Sequence, residues 1–328
     1  MTPQEQHLSN DLNGLHWVHK FGWLRTNELG SLLWPNTDTS RHQAERLVRS
    51  WLKRELVLAR KLPQGVGRAL VLAQKGVRLL SEHGIAAKTG KDIGETYNGV
   101  WIPPSSWRHD LLASGVLVDL YKHGWSVYPE AQIRRHVQAL AKWPDGLAKR
   151  DGHVLWVEVE STRKTGPALR LLAESLCSVA QNAGPLLLGL KPTGVLVGYR
   201  GDAKDERGYA LDHRARVSKA LSVAARVPVP VLWARCALSG VAGVCDVAYE
   251  QETIRSDAAA KIRRVLDAGG WRDEEGCLVA NYGARLVYVW EDSDAPGFWG
   301  WNAGDKVNRE TSIDAAKRAC AAALAEKP

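Results

Sequence analysis

The chain has 328 residues, with 44 lysines and arginines against 36 aspartates and glutamates, and its formal net charge is +8. An apolar fraction of 45% with 24% charged residues is that of a globular protein and excludes an extended disordered chain. No apolar run approaches the ~20 residues of a bilayer-spanning helix, and no signal peptide is visible. Five scattered cysteines without a C-x-x-C pair argue against a disulfide framework or a thiolate zinc site, so we expect a cytoplasmic protein without membrane insertion.

The positive charge is unevenly distributed along the chain. Residues 1–90 carry a net charge of +6, residues 91–244 carry +6, and residues 245–328 carry −4. Nucleic acid is the usual polyanion that a basic region meets. We therefore expect double-stranded DNA, at a specific site, as the partner of the first two sections. For the acidic last section the expected partner is a protein.

Residues 1–90 are predicted to form three helices, a β-hairpin and a closing helix. Apolar residues at helical spacing predict the helices, and two apolar runs that flank a Gly-containing turn predict the hairpin. This order is that of a winged helix-turn-helix domain. The predicted elements are a helix ending near Gly22, a second that Thr26 caps and Pro35 ends, a third from Thr39 or Ser40, strands Val57–Leu62 and Arg68–Ala73, and a helix Lys75–His83.

The third helix has one apolar and one basic face. In a winged helix this element lies in the major groove, where Arg and Lys contact phosphates and guanine edges. The alternatives are a solvated helix face and a winged helix that docks a protein. The residues that we assign to DNA binding are Arg41, His42, Arg46, Arg49, Lys53 and Arg54 of the helix and Arg68 of the wing.

The remaining chain divides into a linker and two further domains. Residues 91–106, rich in Gly, Thr, Lys and Pro, are predicted to be a linker. Strands alternate with helices over residues 107–244, which indicates an α/β core. Residues 245–328 are predicted to form a small α+β domain. The elements predicted over these two domains are helices His109–Leu120, Ala168–Ala180, Asp212–Arg226, Thr253–Ala268 and Ser312–Leu324, and strands Trp125–Glu130, Val154–Glu160, Gly194–Tyr199, Val229–Trp233, Cys277–Tyr282, Arg285–Glu291 and Phe298–Asn302.

Acidic residues of the central section indicate chemistry. Glu158 and Glu160 end a predicted strand, where alternation puts both on one face. An inward-facing acidic pair costs desolvation energy unless a cation or a base accompanies it. With Asp145 of Pro144-Asp145-Gly146, Glu158 would hold a divalent cation that activates water for attack on a phosphodiester.

Each of these residues also has a purely structural interpretation. Pro-Asp-Gly is a common turn sequence. Glu158 and Glu160 would then be edge-strand charges that face solvent and deter aggregation. His109 would be an ordinary half-buried histidine, and Arg163 and Lys164 would balance nearby acids.

These residues resemble the PD-(D/E)xK nuclease superfamily, in which a Pro-Asp and a Glu-x-Lys lie on neighbouring strands. The resemblance implies that Asp145 and Glu158 bind Mg²⁺ or Mn²⁺ and that a lysine positions the attacking water. Glu160 stands where the family has lysine, so Lys164, or alternatively Lys149, would take that role from a displaced position. The resemblance thus assigns catalysis to Asp145, Glu158, Glu160, Lys164, His109 and Asp110.

One branch is more similar than the others. The order of Trp107–Leu112, Pro144–Gly146 and Glu158–Arg163 is similar to the replication-relaxation family of plasmids and other mobile elements, and Leu72–Gly76 is similar to the L-T-x-K-G after the wing of that family. The likeness covers about residues 10–235. It implies an N-terminal winged helix-turn-helix, a central α/β restriction-endonuclease-like core with His109 or Asp110 facing the site and Glu130 at its edge, and leaves a small C-terminal α+β domain unexplained.

Two functions follow from the resemblance. The first is a DNA-binding, metal-dependent nuclease-like protein of a mobile genetic element, relaxase-like or associated with replication. The alternative is a non-catalytic winged-helix regulator of plasmid replication or transcription whose nuclease core is degenerate.

Overall fold

The computed structural model describes residues 2–90, 93–137, 139–162, 164, 166–202, 211–239, 244–256, 265–268, 270–274, 277–282, 284–291, 293, 298–303 and 306–325. They group into two compact units, residues 1–217 with 230–253 and residues 218–229 with 254–328. The division into domains 1–90, 107–244 and 245–328 stays a prediction. No helix within the described ranges is long and apolar enough to cross a lipid bilayer.

The first unit begins with three helices, a hairpin and a fourth helix, in the predicted order. Its three strands form one antiparallel sheet of order β1-β3-β2. Thr26 is the first helical residue of its helix and not the cap; Arg25 takes the cap position and forms a buried ion pair with Glu28. The elements are α1 (Pro3–Phe21), β1 (Trp23–Leu24), α2 (Thr26–Leu33), α3 (Ser40–Lys53), β2 (Val57–Lys61), β3 (Arg68–Leu72) and α4 (Gln74–Glu82).

Close packing of α1 against α3 fixes this part of the unit. A Cβ atom at Gly14 of α1 would lie 2.5 Å from the ring of Trp51, so only glycine lets the two helices approach this far. Trp51 is fully buried, and its Nε1 donates to Asp11 Oδ1 at 2.6 Å. The predicted apolar stripe of α3 is confirmed, and its opposite face is left to solvent.

A short hairpin lies within the predicted linker. It consists of β4 (Glu95–Tyr97) and β5 (Val100–Ile102). Trp101 anchors it, because its Nε1 donates to the carbonyl oxygen of Ile93 at 2.8 Å and its ring packs against a buried apolar cluster. Three-residue strands carry too little periodicity to be predicted, and the glycine of the turn, Gly99, is typical of a loop as well.

The central section of this unit is built around a six-stranded sheet of order β11-β10-β9-β8-β7-β6. Strands β6, β7 and β8 are antiparallel, whereas β8, β9 and β10 are parallel and are joined through helices, as parallel neighbours require. The prediction that Val229–Trp233 is the last strand is wrong, because β11, the next strand along the chain, pairs with β10 in the same sheet. The elements are α5 (Trp107–Lys122), β6 (Ser126–Pro129), α6 (Glu130–His136), β7 (Gly146–Arg150), β8 (His153–Glu160), α7 (Gly166–Ala180), β9 (Gly194–Arg200), α8 (His213–Ala224), β10 (Val229–Ser239) and β11 (Val244–Ile254). Residues 218–224 of α8 and the terminal residues Val229 and Ile254 of β10 and β11 group with the second unit.

The second unit contains an antiparallel sheet in chain order and a helix. Val287, Val289 and Trp301 from the sheet form an apolar cluster with Ala316 and Cys320 of the helix. The elements are β12 (Arg272–Glu274), β13 (Cys277–Tyr282), β14 (Arg285–Glu291), β15 (Trp299–Ala303), β16 (Lys306–Glu310) and α9 (Ile313–Ala325), and they include the three predicted strands.

The helix predicted over Thr253–Ala268 is wrong at its start. Thr253 and Ile254 belong to β11. Residues 257–264 of the predicted helix lie outside the described residues, and residues 265–268 are helical. The order of charged and apolar residues near Thr253 fits a helical period of 3.6 residues no better than a strand period of two. The segment becomes a strand because it pairs with β10.

Candidate functional site

Three carboxylates meet where β7 begins and β8 ends. Asp145 directly precedes β7, whose first residue, Gly146, pairs with Val157 of β8. Asp145 therefore lies beside the end of β8, and its Oδ2 accepts a hydrogen bond from the backbone N–H of Val159 at 2.6 Å. Asp145, Glu158 and Glu160 are 6%, 0% and 2% exposed. The interpretation of the two glutamates as solvent-facing edge charges is wrong, because β8 lies between β7 and β9 and buries both.

His109 of α5 forms an ion pair with Asp145. Its Nε2 donates to Asp145 Oδ1 at 2.9 Å, and its Nδ1 lies 3.4 Å from the hydroxyl oxygen of Ser161. Burial opposes protonation of this imidazole, but the hydrogen bond and the charge of Asp145 outweigh it and raise the pKa of His109 to about 9. Burial likewise opposes ionisation of Asp145, and the His109 partner nevertheless holds its pKa below the usual range. The pair is thus imidazolium and carboxylate at neutral pH.

Two lysines converge on the glutamates. Lys164 Nζ donates to Glu158 Oε1 at 3.2 Å and also to Glu160 Oε1. Lys142, from the segment before β7, forms an ion pair with the same oxygen of Glu158. The Lys142 and Lys164 side chains are only 20% and 25% exposed. Two ammonium groups are therefore held beside one buried carboxylate.

The protonation equilibria of the glutamates reflect this environment. Burial raises the pKa of Glu158 to about 7, and the charge of Asp145 adds to this rise while the two lysines oppose it. Burial also raises the pKa of Glu160. Burial alone would lower the pKa of Lys164, but the two glutamates outweigh it and raise the pKa. Glu158 Oε2 is buried and has no hydrogen-bond partner in the described part of the chain.

A cavity of about 520 Å³ opens beside His109 and Asp145. Asp110 and Glu130 also line it, at the positions that the sequence suggested for a site-facing residue and for the edge of the site. Glu130 is paired with Arg134 at 2.6 Å. A second cavity of about 440 Å³ has Lys142 as well as His109 and Asp145 in its lining. Of the six residues with a predicted catalytic role, His109, Asp110 and Asp145 line these cavities. Glu158, Glu160 and Lys164 are in neither lining and are connected to Asp145 through β8.

The predicted DNA-binding residues lie on α3 and at the start of β3, and part of the charge on α3 is neutralised. Arg41 Nε lies 2.9 Å from a carboxylate oxygen of Glu45, and His42 Nδ1 lies 3.7 Å from the other. Arg54 is held at 2.5 Å by the buried Asp11, which makes it a structural residue. The exposed cations for which the described residues provide no ion pair are Arg46, Arg49, Lys53 and Arg68.

Sequence analysis missed Lys142. This lysine precedes Asp145 in the run Lys142-Trp143-Pro144-Asp145, and it reaches Glu158 only because β7 pairs with β8. Its position three residues before Asp145, a candidate metal ligand, is the sequence feature that could have indicated it. Lys149, the alternative to Lys164, is exposed on β7. Arg163 lies outside the described residues.

The arrangement combines buried carboxylates with a fixed imidazolium and two ammonium groups, a set that can orient water and stabilise an anion. A group of three or more His, Cys, Asp or Glu side chains placed to hold a metal ion does not occur among the residues that the structure describes. Comparison with protein-family models, with curated proteins and with solved structures finds no match to this chain.

Proposed function

We propose that this chain is a DNA-binding, metal-dependent nuclease-like protein that nicks or cleaves phosphodiester bonds. One observation carries the proposal: lysine ammonium groups contact Glu158 immediately beside the His109–Asp145 pair. Two acids on neighbouring strands with a lysine next to them are what the PD-(D/E)xK resemblance implies. Here Lys164 and Lys142 supply the positive charge that Glu160, at the usual lysine position, does not.

The carboxylates fit a hard divalent cation such as Mg²⁺ or Mn²⁺. Asp145 and Glu158 offer the oxygen ligands that these ions prefer. The unpartnered Glu158 Oε2 is a buried acceptor that is costly to leave unsatisfied, and a cation would satisfy it. A bound ion would share Glu158 with the ammonium groups of Lys142 and Lys164, which contact its other carboxylate oxygen. Bound there, the ion would polarise a phosphoryl oxygen and lower the pKa of a water molecule.

The chain's own residues supply fixed charges around the reacting group. Lys142 and Lys164 would stabilise negative charge that develops on a phosphodiester. Glu160 keeps Lys164 charged and oriented through their hydrogen bond. His109, which lines the cavity, holds the Asp145 carboxylate in one orientation.

We place the DNA partner on the N-terminal helices and hairpin, which we propose to be a winged helix-turn-helix joined to a restriction-endonuclease-like core and a small C-terminal α+β domain. The exposed arginines of α3 and Arg68 would contact the duplex backbone. In the branch that the sequence resembles, such an assembly would serve DNA processing in a mobile genetic element.

The test is cleavage of supercoiled plasmid and linear duplex with Mg²⁺ or Mn²⁺ and with EDTA. We expect cleavage that requires the metal, and a loss of about a hundredfold or more in Asp145→Asn and in Glu158→Gln. The matched control is Asp151→Asn, an exposed turn residue between β7 and β8, which should cleave like the parent. If both site variants cut at the parental rate, the proposed site is wrong.

One observation favours the second candidate, a non-catalytic DNA-binding regulator. Both oxygens of Asp145 already accept hydrogen bonds, and the two glutamates are neutralised by lysines. Such a core would be stable without a metal. A regulator would bind duplex DNA in a salt-sensitive manner, show no heat of Mn²⁺ binding in calorimetry and cleave no substrate.

A further inference from the structure

The cavity beside His109 has a basic part that the proposed catalysis does not use. Besides the acids, its lining includes His19 of α1, Lys88 of the segment after α4, and Arg134 and Arg135 of α6. These residues come from three separate places in the sequence. None of them is among the residues of α3 and β3 that we assign to DNA binding.

Two of these cations form no ion pair with any residue that the structure describes. Arg134 is paired with Glu130. Arg135 donates to the backbone oxygen of His19 at 2.6 Å, and neither it nor the exposed Lys88 forms an ion pair within the described residues. Burial and the charge of Arg135 lower the pKa of His19 to about 4, so this ring is neutral at pH 7 and balances no charge. Lys88 and Arg135 are therefore cations without an ion pair to the described residues, in a lining that also contains the carboxylate of Asp110.

Two further basic residues of α1, Lys20 and His16, lie close to this cluster without lining the cavity. Lys20 of α1 donates to the backbone oxygen of Val127 at 3.4 Å, and burial lowers the pKa of its ammonium group. Burial, Lys20 and Arg135 all lower the pKa of His16. Its buried Nδ1 has no hydrogen-bond partner among the residues described. Burial is the main cause of both shifts, and Lys20 and Arg135 act on His16 in addition, so an anion bound beside them would favour its protonated form.

The cavity also has the size and the lining for a small aromatic ligand. Its volume of about 520 Å³ lies within the 300–1,000 Å³ that is usual for small-molecule sites, roughly the range for one nucleotide and too small for a duplex. Phe21 and Trp23 line it and are 7% and 6% exposed, so they offer a base a small apolar wall rather than an open ring face.

We propose that this cavity binds one deoxynucleotide of a single strand, with Lys88 and Arg135 on its phosphate and the base against the aromatic lining. The inference rests on the proposed function, because the strand that enters is the one to be cut beside Asp145. A terminal nucleotide and a nucleotide unstacked from a duplex share this chemistry.

The experiment measures binding of a 5′-phosphorylated thymidine hexanucleotide, labelled with fluorescein at its 3′ end, to the full chain by anisotropy in EDTA. Without metal no cleavage occurs, so the readout is independent of catalysis. We expect Lys88→Ala and Arg135→Ala each to weaken binding about fivefold or more, since each removes one charge-assisted contact. Lys191→Ala and Arg78→Ala, exposed residues outside the cavity lining, are the matched controls and should bind like the parent.

Competition experiments distinguish binding of a free nucleotide from binding of a nucleotide within a strand. Competition by thymidine 5′-monophosphate but not by thymidine identifies the phosphate as the recognised group, and preference for the hexanucleotide over the monophosphate identifies a strand. Arg135→Lys, which keeps the charge, should retain more affinity than Arg135→Ala. Circular dichroism melting verifies that each variant is folded.

The inference is overturned if the hexanucleotide does not bind, or if folded Lys88→Ala and Arg135→Ala bind it as tightly as the parent. Metal-dependent cleavage that still requires Asp145 would then show that the proposed function holds while the cavity has another role. Hexanucleotide binding without any cleavage would instead retain the cavity site and reject the nuclease.

Discussion

Glu158 is the residue on which the electrostatics of the candidate site depend. It is fully buried, and an ionised carboxylate in such a place costs several kcal/mol, about the net stability of a small domain, unless opposite charge compensates it. Lys142 and Lys164 provide this compensation from segments on either side of β7 and β8. Among the described residues, Glu158 Oε2 has no hydrogen-bond partner, so they compensate the carboxylate incompletely.

Replacing Lys142 by methionine should destabilise the protein. Lys142→Met removes one of two counter-charges from Glu158, and we expect the free energy of unfolding in urea to fall by about 1–3 kcal/mol. Adding Glu158→Gln should recover part of this loss, because a neutral amide needs no counter-charge. Lys149→Met, an exposed lysine on β7, is the control with an expected change near zero. Equal stability of the parent and Lys142→Met would contradict the assigned role of this ion pair.

The stability of the protein should fall between pH 6.5 and pH 9. His109 keeps its proton in the folded state up to a pKa of about 9, whereas the unfolded chain releases it near its ordinary value of 6.5. The folded state therefore binds more protons in this window, and the free energy of unfolding decreases as the pH rises through it. The pKa of about 7 for Glu158 acts in the same direction below pH 7.

Urea unfolding at several pH values measures this decline. His109→Asn should remove the part between pH 7 and 9, about 1–3 kcal/mol, because the asparagine carries no titrating proton. His153→Asn, which replaces an exposed histidine of β8, is the matched control and should leave the decline intact. A parental decline in His109→Asn would assign it to other groups.

At the scale of elements, apolar patterns predicted most helices and several strands, among them β8 and β9, but missed the eleven-residue strand β11. The basic helix α3 and the hairpin β2–β3 lie where the sequence puts them. The hairpin β4–β5 was missed, since its position depends on one anchor, Trp101, and not on a repeated pattern. Lys142 was missed because only strand pairing brings it to Glu158, and no local spacing encodes that contact.

The packing of α4 on the N-terminal hairpin depends on Gly76. A Cβ atom there would lie 2.3 Å from the backbone oxygen of Leu56, which cannot move as a side chain would. Gly76→Ala gains about 1 kcal/mol of helix propensity but should lose more through this clash, with a net destabilisation of about 1–3 kcal/mol in thermal or urea unfolding. Ser81→Ala, exposed on the same helix, should be neutral or slightly stabilising. A stabilised Gly76→Ala variant would show that α4 shifts without cost.

The exposed face of α3 should determine the salt dependence of duplex binding. Arg46 and Arg49 are exposed and form no ion pair within the described chain, so each is available to a phosphate. Arg46→Ala with Arg49→Ala should lower the slope of log K against log salt by about 2, one for each lost phosphate contact. Arg41→Ala, on the same helix but already paired with Glu45, should change the slope less. Equal effects of all three arginines would contradict binding through this face.

At the scale of the whole molecule, net charge differs between two parts of the sequence, and each compact unit has its own apolar cluster. The positive charge lies in residues 1–244, and residues 245–328 carry a net charge of −4. The two compact units also have separate apolar clusters, one around Leu112, Val157 and Leu196 and the other around Val287 and Trp301. The candidate site and its cavity lie wholly within the first unit.

These separate cores predict that destabilisation stays within one unit. Val287 is fully buried in the second unit, and Val287→Ala should lower local stability by about 1–3 kcal/mol through the cavity that it leaves. Because opening occurs in cooperative units, hydrogen exchange should accelerate over β13–β15 and remain parental over β8 and β9. Leu196→Ala, a buried residue of β9, should give the reciprocal pattern. Faster exchange throughout the chain in either variant would mean that the two units unfold as one. In a separate measurement, a Val287→Ala variant that binds duplex DNA like the parent would place DNA binding in the first unit.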